Sequence, residues 1–568
     1  MWIKNNIYFH FLCAAVLTVA AYVLGLSGGF YFDDEWNILG NQSLKQDSLS
    51  FKALWDAALS GTAGPLGRPL AMLSFALNYV FFGFDPFYFK LVNLLIHVLC
   101  GVTIYAISLS LCEYLCDIPT PRRRLFAFLV MLLWLLHPIN LTTVLYSVQR
   151  MAGLSALFTL LGMLAYLRAR QLVGQERYVA RTVLFVTSLL ICWPLALASK
   201  ENAILLPVYL LILEFLFLRF RAAGEQRVSR PLVYSFVGLL LIPGIVVSAY
   251  FLVFPDWILN GYARRDFTLG ERLLTEARVL FYYIGQILLP INSSLGLFHD
   301  DFVVSKSLFS PWTTILSVVT LAALSLGALI YSRKLPVFGF GVLFFLAAHL
   351  LESSVFALEL VHEHRNYLAS FSVLFAVAYV FVRGTQRTDR VRGFAAACLI
   401  IFFGVTTTAR AAIWGEPVFH VVTEVSNHPQ SPRANYGMGK QYATYARTLD
   451  ASPQKIEALE WASLYFGKSA ELRQSYTDGL FGLLMMEGLE GYEMGSGHFN
   501  ALLFRLGKAP FSNNNFNYLN SLLRCLERGD CTIADAKLEA IISACQENDG
   551  FSGKHARQVL VRYERFLK

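Results

Sequence analysis

Runs of about 20 apolar residues recur along this chain, each long enough to cross the hydrocarbon core of a bilayer as a helix. The candidate spans are 7–29, 88–112, 125–145, 151–168, 182–199, 202–218, 232–254, 312–332, 336–353, 366–382 and 393–413. Composition agrees: 56% of the 568 residues are hydrophobic and 15% charged, whereas a soluble chain carries about 25% charged residues. The first run, from Ile7 to Phe30, exceeds the roughly 7–15 residues of a signal-peptide core, and no small-x-small site ends it. It is expected to remain as the first span.

Lys and Arg in the short loops set the orientation. The basic loops are PTPRRR (119–124), RARQLVGQERYVAR (168–181), RFRAAGEQRVSR (219–230), SRK (332–334) and RGTQRTDRVR (383–392). All five fall on the cytoplasmic side only if the shorter apolar stretch 277–291, interrupted by Pro290, does not cross. That stretch is therefore expected to be a re-entrant or interfacial helix. About eleven crossings result, with the N-terminus cytoplasmic and the C-terminal region outside. The net charge of +8 resides in this part: residues 1–414 carry 31 Lys and Arg against 22 Asp and Glu, and residues 415–568 carry 16 against 17. The positive-inside rule accounts for the excess, and nothing points to nucleic acid.

The expected fold is all-α: a polytopic helix bundle over 1–414, then an extracytoplasmic helical domain over 415–568. The tail reads as degenerate tetratricopeptide-like hairpins, a repeat with a period of about 34 residues. One repeat is readable from Asn427 to Ala470, and LNSLLRCLERGDCTIADAKLEAIISAC (519–545) reads as a second helix–turn–helix. The nine Cys are scattered with no CxxC, so metal spacing is absent, while a Cys525–Cys531 bridge is open to the tail in an oxidising compartment.

The inner loops hold mostly Arg; the outer loops hold the chemically varied residues. FDDEWN places Asp33, Asp34 and Glu35 at the mouth of the first span. A carboxylate at a membrane–water boundary can take a proton from a hydroxyl or hold a divalent cation, Mg or Mn. HPINLTTVLYSVQRM puts His137 and Arg150 at span ends, ASKEN puts Lys200 and Glu201 between two spans, and HEHRNY adds His362, Glu363, His364 and Arg365. Ionisable residues beside hydrocarbon are costly and therefore functional candidates, although each alone could be a snorkelling residue. If Arg150, Lys200 and Arg365 converge, they form an anion site suited to a phosphate. HEHRN is not HExxH, since position 366 is Asn; His362 and His364 retain a minor metal option. Glu214 is expected to pair locally with Arg219, and the sequon at Asn140 lies against the membrane.

In order along the chain, FDDEWNI (32–38), GRPLAMLSFALNYVFFGFDPFYFKLVNLLIHVLCG (67–101), HPINLTTVLYSVQRMAGLSALFTLLGMLAY (137–166), LALASKENAILLPVYLLILE (195–214) and ESSVFALELVHEHRNYLAS (352–370) resemble the GT-C membrane glycosyltransferases. The likeness is to the transmembrane-and-tetratricopeptide O-mannosyltransferase-like group and its bacterial relatives. RPL, HP, SKE and EHRNYL are specific together, not singly, and the few irregular repeats of the tail depart from the family. The resemblance implies an enzyme that takes a sugar from a polyprenyl-phosphate donor, the lipid-linked partner in the bilayer. The sugar passes by inverting displacement to a hydroxyl of an exported acceptor protein, a pilin being one candidate. Asp33 matches the family's catalytic acid and Asp34 its neighbour. Arg150, Lys200 and Arg365 are the candidate phosphate ligands, while Glu35, His137, Glu201, His362 and His364 are expected to line the site. The expected location is a bacterial inner membrane. The same residues leave open a transferase acting on a glycolipid or polysaccharide; a lipid-linked sugar flippase or transporter would instead place its ionisable groups near mid-bilayer.

Overall fold

The computed structural model describes residues 7–567 apart from 47, 116, 174, 222–226 and 384–388. Lys4, Cys116 and the centres of two basic loops thus lie outside the described residues. Among the described residues the secondary structure is helical, with two isolated bridges and no strand. Among the described residues nine helices are long and apolar enough to span: Ile7–Gly25, Pro86–Tyr114, Ser147–Gln171, Tyr178–Leu197, Glu201–Leu218, Arg230–Val253, Thr313–Ile330, Glu363–Val382 and Arg390–Gly415. The pair Thr120–Leu135 and Pro138–Leu145, bent by 52°, makes a tenth when the two helices are counted as one span. The expected span at 336–353 is the shorter helix Pro336–His349. Its 14 residues extend about 21 Å, and the segment still joins the two ends of the bundle, from Arg333, whose carbonyl accepts from Arg219, to Glu352, paired with Lys200. The chain is a multi-pass membrane protein.

Local chemistry sets the helix ends. Proline opens Pro69–Phe82, Pro86–Leu111 and Pro336–His349, where its missing N–H has no intrahelical partner to lose. Asp85 caps the second of these by accepting from the Phe87 N–H at 2.9 Å, and a Thr268–Glu271 capping box opens Leu269–Leu288. That last helix covers the stretch expected to be interfacial. Near its start Arg272 donates to the Glu352 and Leu358 carbonyls, and near its end the Ile287 carbonyl accepts from His137. Both ends therefore touch residues of the loop end that carries Asp33.

The basic loops gather at the opposite end. Gln171 bonds Glu113, Arg170 bonds the Arg221 carbonyl, Arg219 the Arg333 carbonyl and Arg122 the Val382 carbonyl. Glu214 pairs with Arg170 and accepts from Tyr166 at 2.6 Å; the partner is therefore on the neighbouring helix and is not Arg219, whose side chain points to the loop at 333.

Two apolar cores form, one from residues up to Trp414 and another from Ala446 onward. The second is built by helices Pro432–Ala446, Pro453–Leu472, Asp478–Glu490, Ser496–Lys508, Asn513–Glu527, Asp535–Gln546 and Gly553–Phe566. Ser431, Ser452 and Ser512 cap three of them. The first two helices pack as a hairpin around Phe466, whose ring would lie 2.6 Å from a Cβ at Gly439 or Gly482; only glycine lets the three helices close on it. The stretch 519–545 contains two helices that pack alternately: Ser496–Lys508 lies on Asp535–Gln546, and Asn513–Glu527 on Gly553–Phe566. Cys525 and Cys531 are disulfide-bonded.

Candidate functional site

The turn after the first span presents Asp33 on strained backbone. Phe32 has φ +38°, a region costly for a side chain with a Cβ. Its ring is held between Phe298 and the Arg433 guanidinium, 5.2 Å from the ring centre. The Asp33 N–H donates to the Tyr146 hydroxyl at 2.8 Å. The half-buried Asp33 carboxyl then faces a cavity of about 630 Å³. Phe32, Glu359, His362, His299 and Asp300 line it from the membrane part, and Arg433, Arg473, Tyr476 and Asp478 from the C-terminal helices.

The two neighbouring acids act differently. Asp34 is fully buried and accepts from the Tyr31 N–H at 3.0 Å and the Val148 N–H at 2.6 Å. It ties the turn to the bundle and turns away from the cavity. Glu35 is exposed and pairs with Lys440 at 3.1 Å. Burial and the Glu359 carboxylate push the Asp33 carboxyl up to about 6, against the opposing pull of Arg433.

Glu359 joins the two parts of the chain. Arg433 grips it with two bonds of 2.5 and 2.6 Å, Arg265 adds a third contact at 3.4 Å, and His362 lies 3.5 Å away. Burial alone would raise its carboxyl, but Arg433 holds it well below the usual carboxylate range. Asp300 is anchored in parallel, accepting from the Ser431 hydroxyl and the Arg433 N–H.

Beside this cavity lies a belt of ion pairs: Arg68–Glu201 at 2.9 Å and Lys200–Glu352 at 2.7 Å. Burial pushes Glu352 up, but Lys200 and Arg365 outweigh it and hold the carboxyl at about 2. Arg68 has φ +53°, and its charge reaches Asp33. Gly64, at φ +72°, lies so close to Glu201 that a Cβ would sit 2.0 Å from its Oε1; this close approach lets the glycine-rich loop fold Arg68 onto Glu201. His362 and His364 stack with ring centres 5.1 Å apart. His364 and Arg365 line a small separate crevice with Ser155 and Asn202.

Of the expected site residues, Asp33 and His362 line the main cavity, and Lys200, Glu201 and His364 stand in the flanking belt and crevice. Asp34 and Glu35, expected in the site, stand off the cavity as described, and two further expectations are corrected on geometry. Arg150 is 1% exposed and commits four of its five N–H donors to Asn93, Asn78 and the Ser74 and Phe89 carbonyls at 2.8–3.0 Å, so it is buried away from the cavity and held by the bundle. His137 is buried, bonding the Ile287 carbonyl through Nε2 and accepting from the Ile139 N–H at Nδ1; it pins a turn instead of lining the site. Arg365 directs two donors to the Leu360 and Glu359 carbonyls, which shapes the loop carrying Glu359. Asn140 is buried and donates to the Trp134 carbonyl, so its sequon offers no accessible amide. Among the described residues no three His, Cys, Asp or Glu gather as a metal site.

Sequence reasoning missed Arg68, Tyr146, Glu359 and Arg433 as site residues. The first three lie inside the quoted stretches GRPL, VLYSVQRM and FALELVHEH. Arg433 carried no signal, because its partners are 74 and 133 residues away in the chain.

With this geometry in hand, comparison with curated proteins gives a consistent result. The chain is similar to protein O-mannosyl-transferases. It is 33% identical to protein O-mannosyl-transferase TMTC1 of Mus musculus over 165 residues, 28% of this chain and 17% of that protein. It is 28% identical to TMTC4 of Mus musculus over 206 residues, 34% of this chain and 27% of the relative. For TMTC3 of Homo sapiens the figures are 30% over 201 residues, 34% and 20%. The aligned part thus spans 17–27% of the length of these relatives. No family model matches the chain, and no solved structure does.

Proposed function

We propose that this chain is an integral-membrane glycosyltransferase that moves a sugar from a polyprenyl-phosphate donor to a hydroxyl of an exported protein at the external membrane face. The similarity to protein O-mannosyl-transferases supports the reaction class. The observation that carries the reading is Asp33: a carboxyl at the bundle's loop end, set on strained backbone, facing a cavity open to the C-terminal helices. Asp33 takes the proton of the acceptor hydroxyl. The hydroxyl oxygen forms its bond to the anomeric carbon from one side while the bond to the donor phosphate breaks on the other, inverting the centre and releasing polyprenyl phosphate. The lipid tail stays in the bilayer, so the base must hang from a span end, as Asp33 does.

Charge on the departing phosphate calls for cations placed in advance. Arg68 and Lys200 each already hold a carboxylate, so the phosphate joins an existing network in which Glu201 and Glu352 fix the cation positions. The five basic loops at the far end support a cytoplasmic placement of that end by the positive-inside rule. In a bacterial host the membrane would be the inner membrane and the acceptor a periplasmic protein, with pilins among the candidates.

The pH dependence follows from the base. With the Asp33 carboxyl near 6, the ionised form is populated above that pH and lost below it. Transfer should therefore fall on the acid side through a limb near pH 6. Arg433 lowers the Asp33 value, so Arg433→Gln should move that limb to higher pH; a limb that stays in place or moves down contradicts the assignment. The founding assay incubates purified protein in neutral detergent with radiolabelled polyprenyl-phosphate mannose and Ser/Thr-rich peptides. Label in peptide supports the reading, and none with any polyprenyl-phosphate sugar overturns it.

A further inference from the structure

A second cavity, of about 780 Å³, opens on the C-terminal helices beside the first. Five cations line it: Arg524, Lys554, Arg557, Arg562 and Arg565. The region 415–568 has nearly balanced charge, 16 Lys and Arg against 17 Asp and Glu, so this cluster is a local concentration and not a consequence of composition. Its opposition is thin. Glu527 approaches Arg562 at 3.6 Å, and Glu35, which bears on Arg524, is paired with Lys440. Among the described residues no carboxylate stands at ion-pair distance from Lys554, Arg557 or Arg565, all three of which are exposed. Burial and the neighbouring Arg562 and Arg528 hold Arg524 below its ordinary value against the opposing pull of Glu527 and Glu35, so burial and like charge outweigh the carboxylates.

Trp36 and Asn517 border both cavities. Trp36 lies three residues from Asp33, so a linear chain lying in the basic groove passes the tryptophan and enters the cavity that Asp33 faces. The groove also offers the amides of Asn517, Asn520 and Gln558, which suit peptide bonds. We propose that this groove is an acceptor-docking surface for an acidic segment of polypeptide, delivering a neighbouring hydroxyl to Asp33. The proposal rests on the transferase reading for the word acceptor; the binding of acidic peptide stands apart from it. Complementary charge at such a rim sets encounter rate and partner choice.

The test uses the full chain in neutral detergent and fluorescein-labelled Ser/Thr peptides carrying a Glu tract or the matched Gln tract, read by anisotropy and by the KM for transfer. The Glu peptide should bind about tenfold tighter, and Arg557→Gln with Arg565→Gln should remove about that factor. Salt near 0.5 M should largely erase the preference. In transfer, the Glu tract should lower KM and leave kcat unchanged, an advantage lost in the double variant. Equal binding of the two peptides, or a double variant that binds as the unaltered chain does, overturns the groove. So does a loss that appears only with phosphatidylglycerol vesicles, which would make the groove a headgroup site. Charge-selective binding without transfer to any peptide supports the groove and overturns the transferase reading alone.

Discussion

Asp33→Asn is expected to lower sugar transfer by about 10²–10⁴-fold, the span attributed to a positioned general base, in protein that remains folded. The amide matches the carboxylate in shape but cannot accept the hydroxyl proton. The fold should tolerate it, because its backbone N–H to Tyr146 and its carbonyl, which accepts from Asn37, are left in place, and an amide oxygen can still accept from the Tyr146 hydroxyl. Asp34→Asn is the paired control. The Asp34 carboxylate accepts two backbone N–H groups, and an amide can present its single oxygen to one of them, leaving an NH₂ against the other. A buried donor without a partner costs about 1–3 kcal/mol. Asp34→Asn should therefore show a lower unfolding midpoint and largely preserved transfer per folded molecule. The reverse pattern would exchange the roles of the two acids.

Arg150→Met is expected to be the most damaging single substitution to the fold. Four acceptors converge on the buried guanidinium, the side-chain oxygens of Asn93 and Asn78 and the carbonyls of Ser74 and Phe89, and the rings of Phe75 and Phe89 stack at 4.8 and 5.1 Å. Removing the donor strands the two amide oxygens at about 1–3 kcal/mol each before relaxation, while the Ser74 and Phe89 carbonyls keep their helical partners, so a loss of about 2 kcal/mol or more is anticipated. Thermal unfolding in detergent would register it. A phosphate-binding Arg150 would behave differently: the variant would stay stable and show a raised KM for the lipid-linked donor.

These contrasts show what could be read from the sequence. The spans were legible because hydrocarbon imposes a length and a polarity that apolar runs report directly. The expectation that 277–291 does not cross rests on charge, since counting it as a span would have placed SRK and RGTQRTDRVR outside. Asp33 stood out as an acid at a span end. The roles of the other ionisable residues were not legible, because an arginine that pins four backbone and amide oxygens and an arginine that binds phosphate have the same spelling at a span end. What separates Arg150 from Arg68 is which neighbours fold around it. Arg433 was hidden for another reason: the C-terminal helices close over the membrane loops, and no local pattern encodes a contact between Glu359 and a residue 74 positions later.

The central claim is that Asp33 and its cavity face away from the cytoplasm, where a lipid-borne sugar meets an exported acceptor. Single cysteines at Lys52, exposed on the helix Phe51–Ala58 after the Asp33 turn, and at Arg168, exposed in the basic loop region, allow a direct test with a membrane-impermeant maleimide on sealed right-side-out vesicles. The account predicts that Lys52→Cys is labelled at once and Arg168→Cys only after permeabilisation. Labelling of Arg168→Cys in sealed vesicles, with Lys52→Cys protected, would place the base in the cytoplasm and contradict the account.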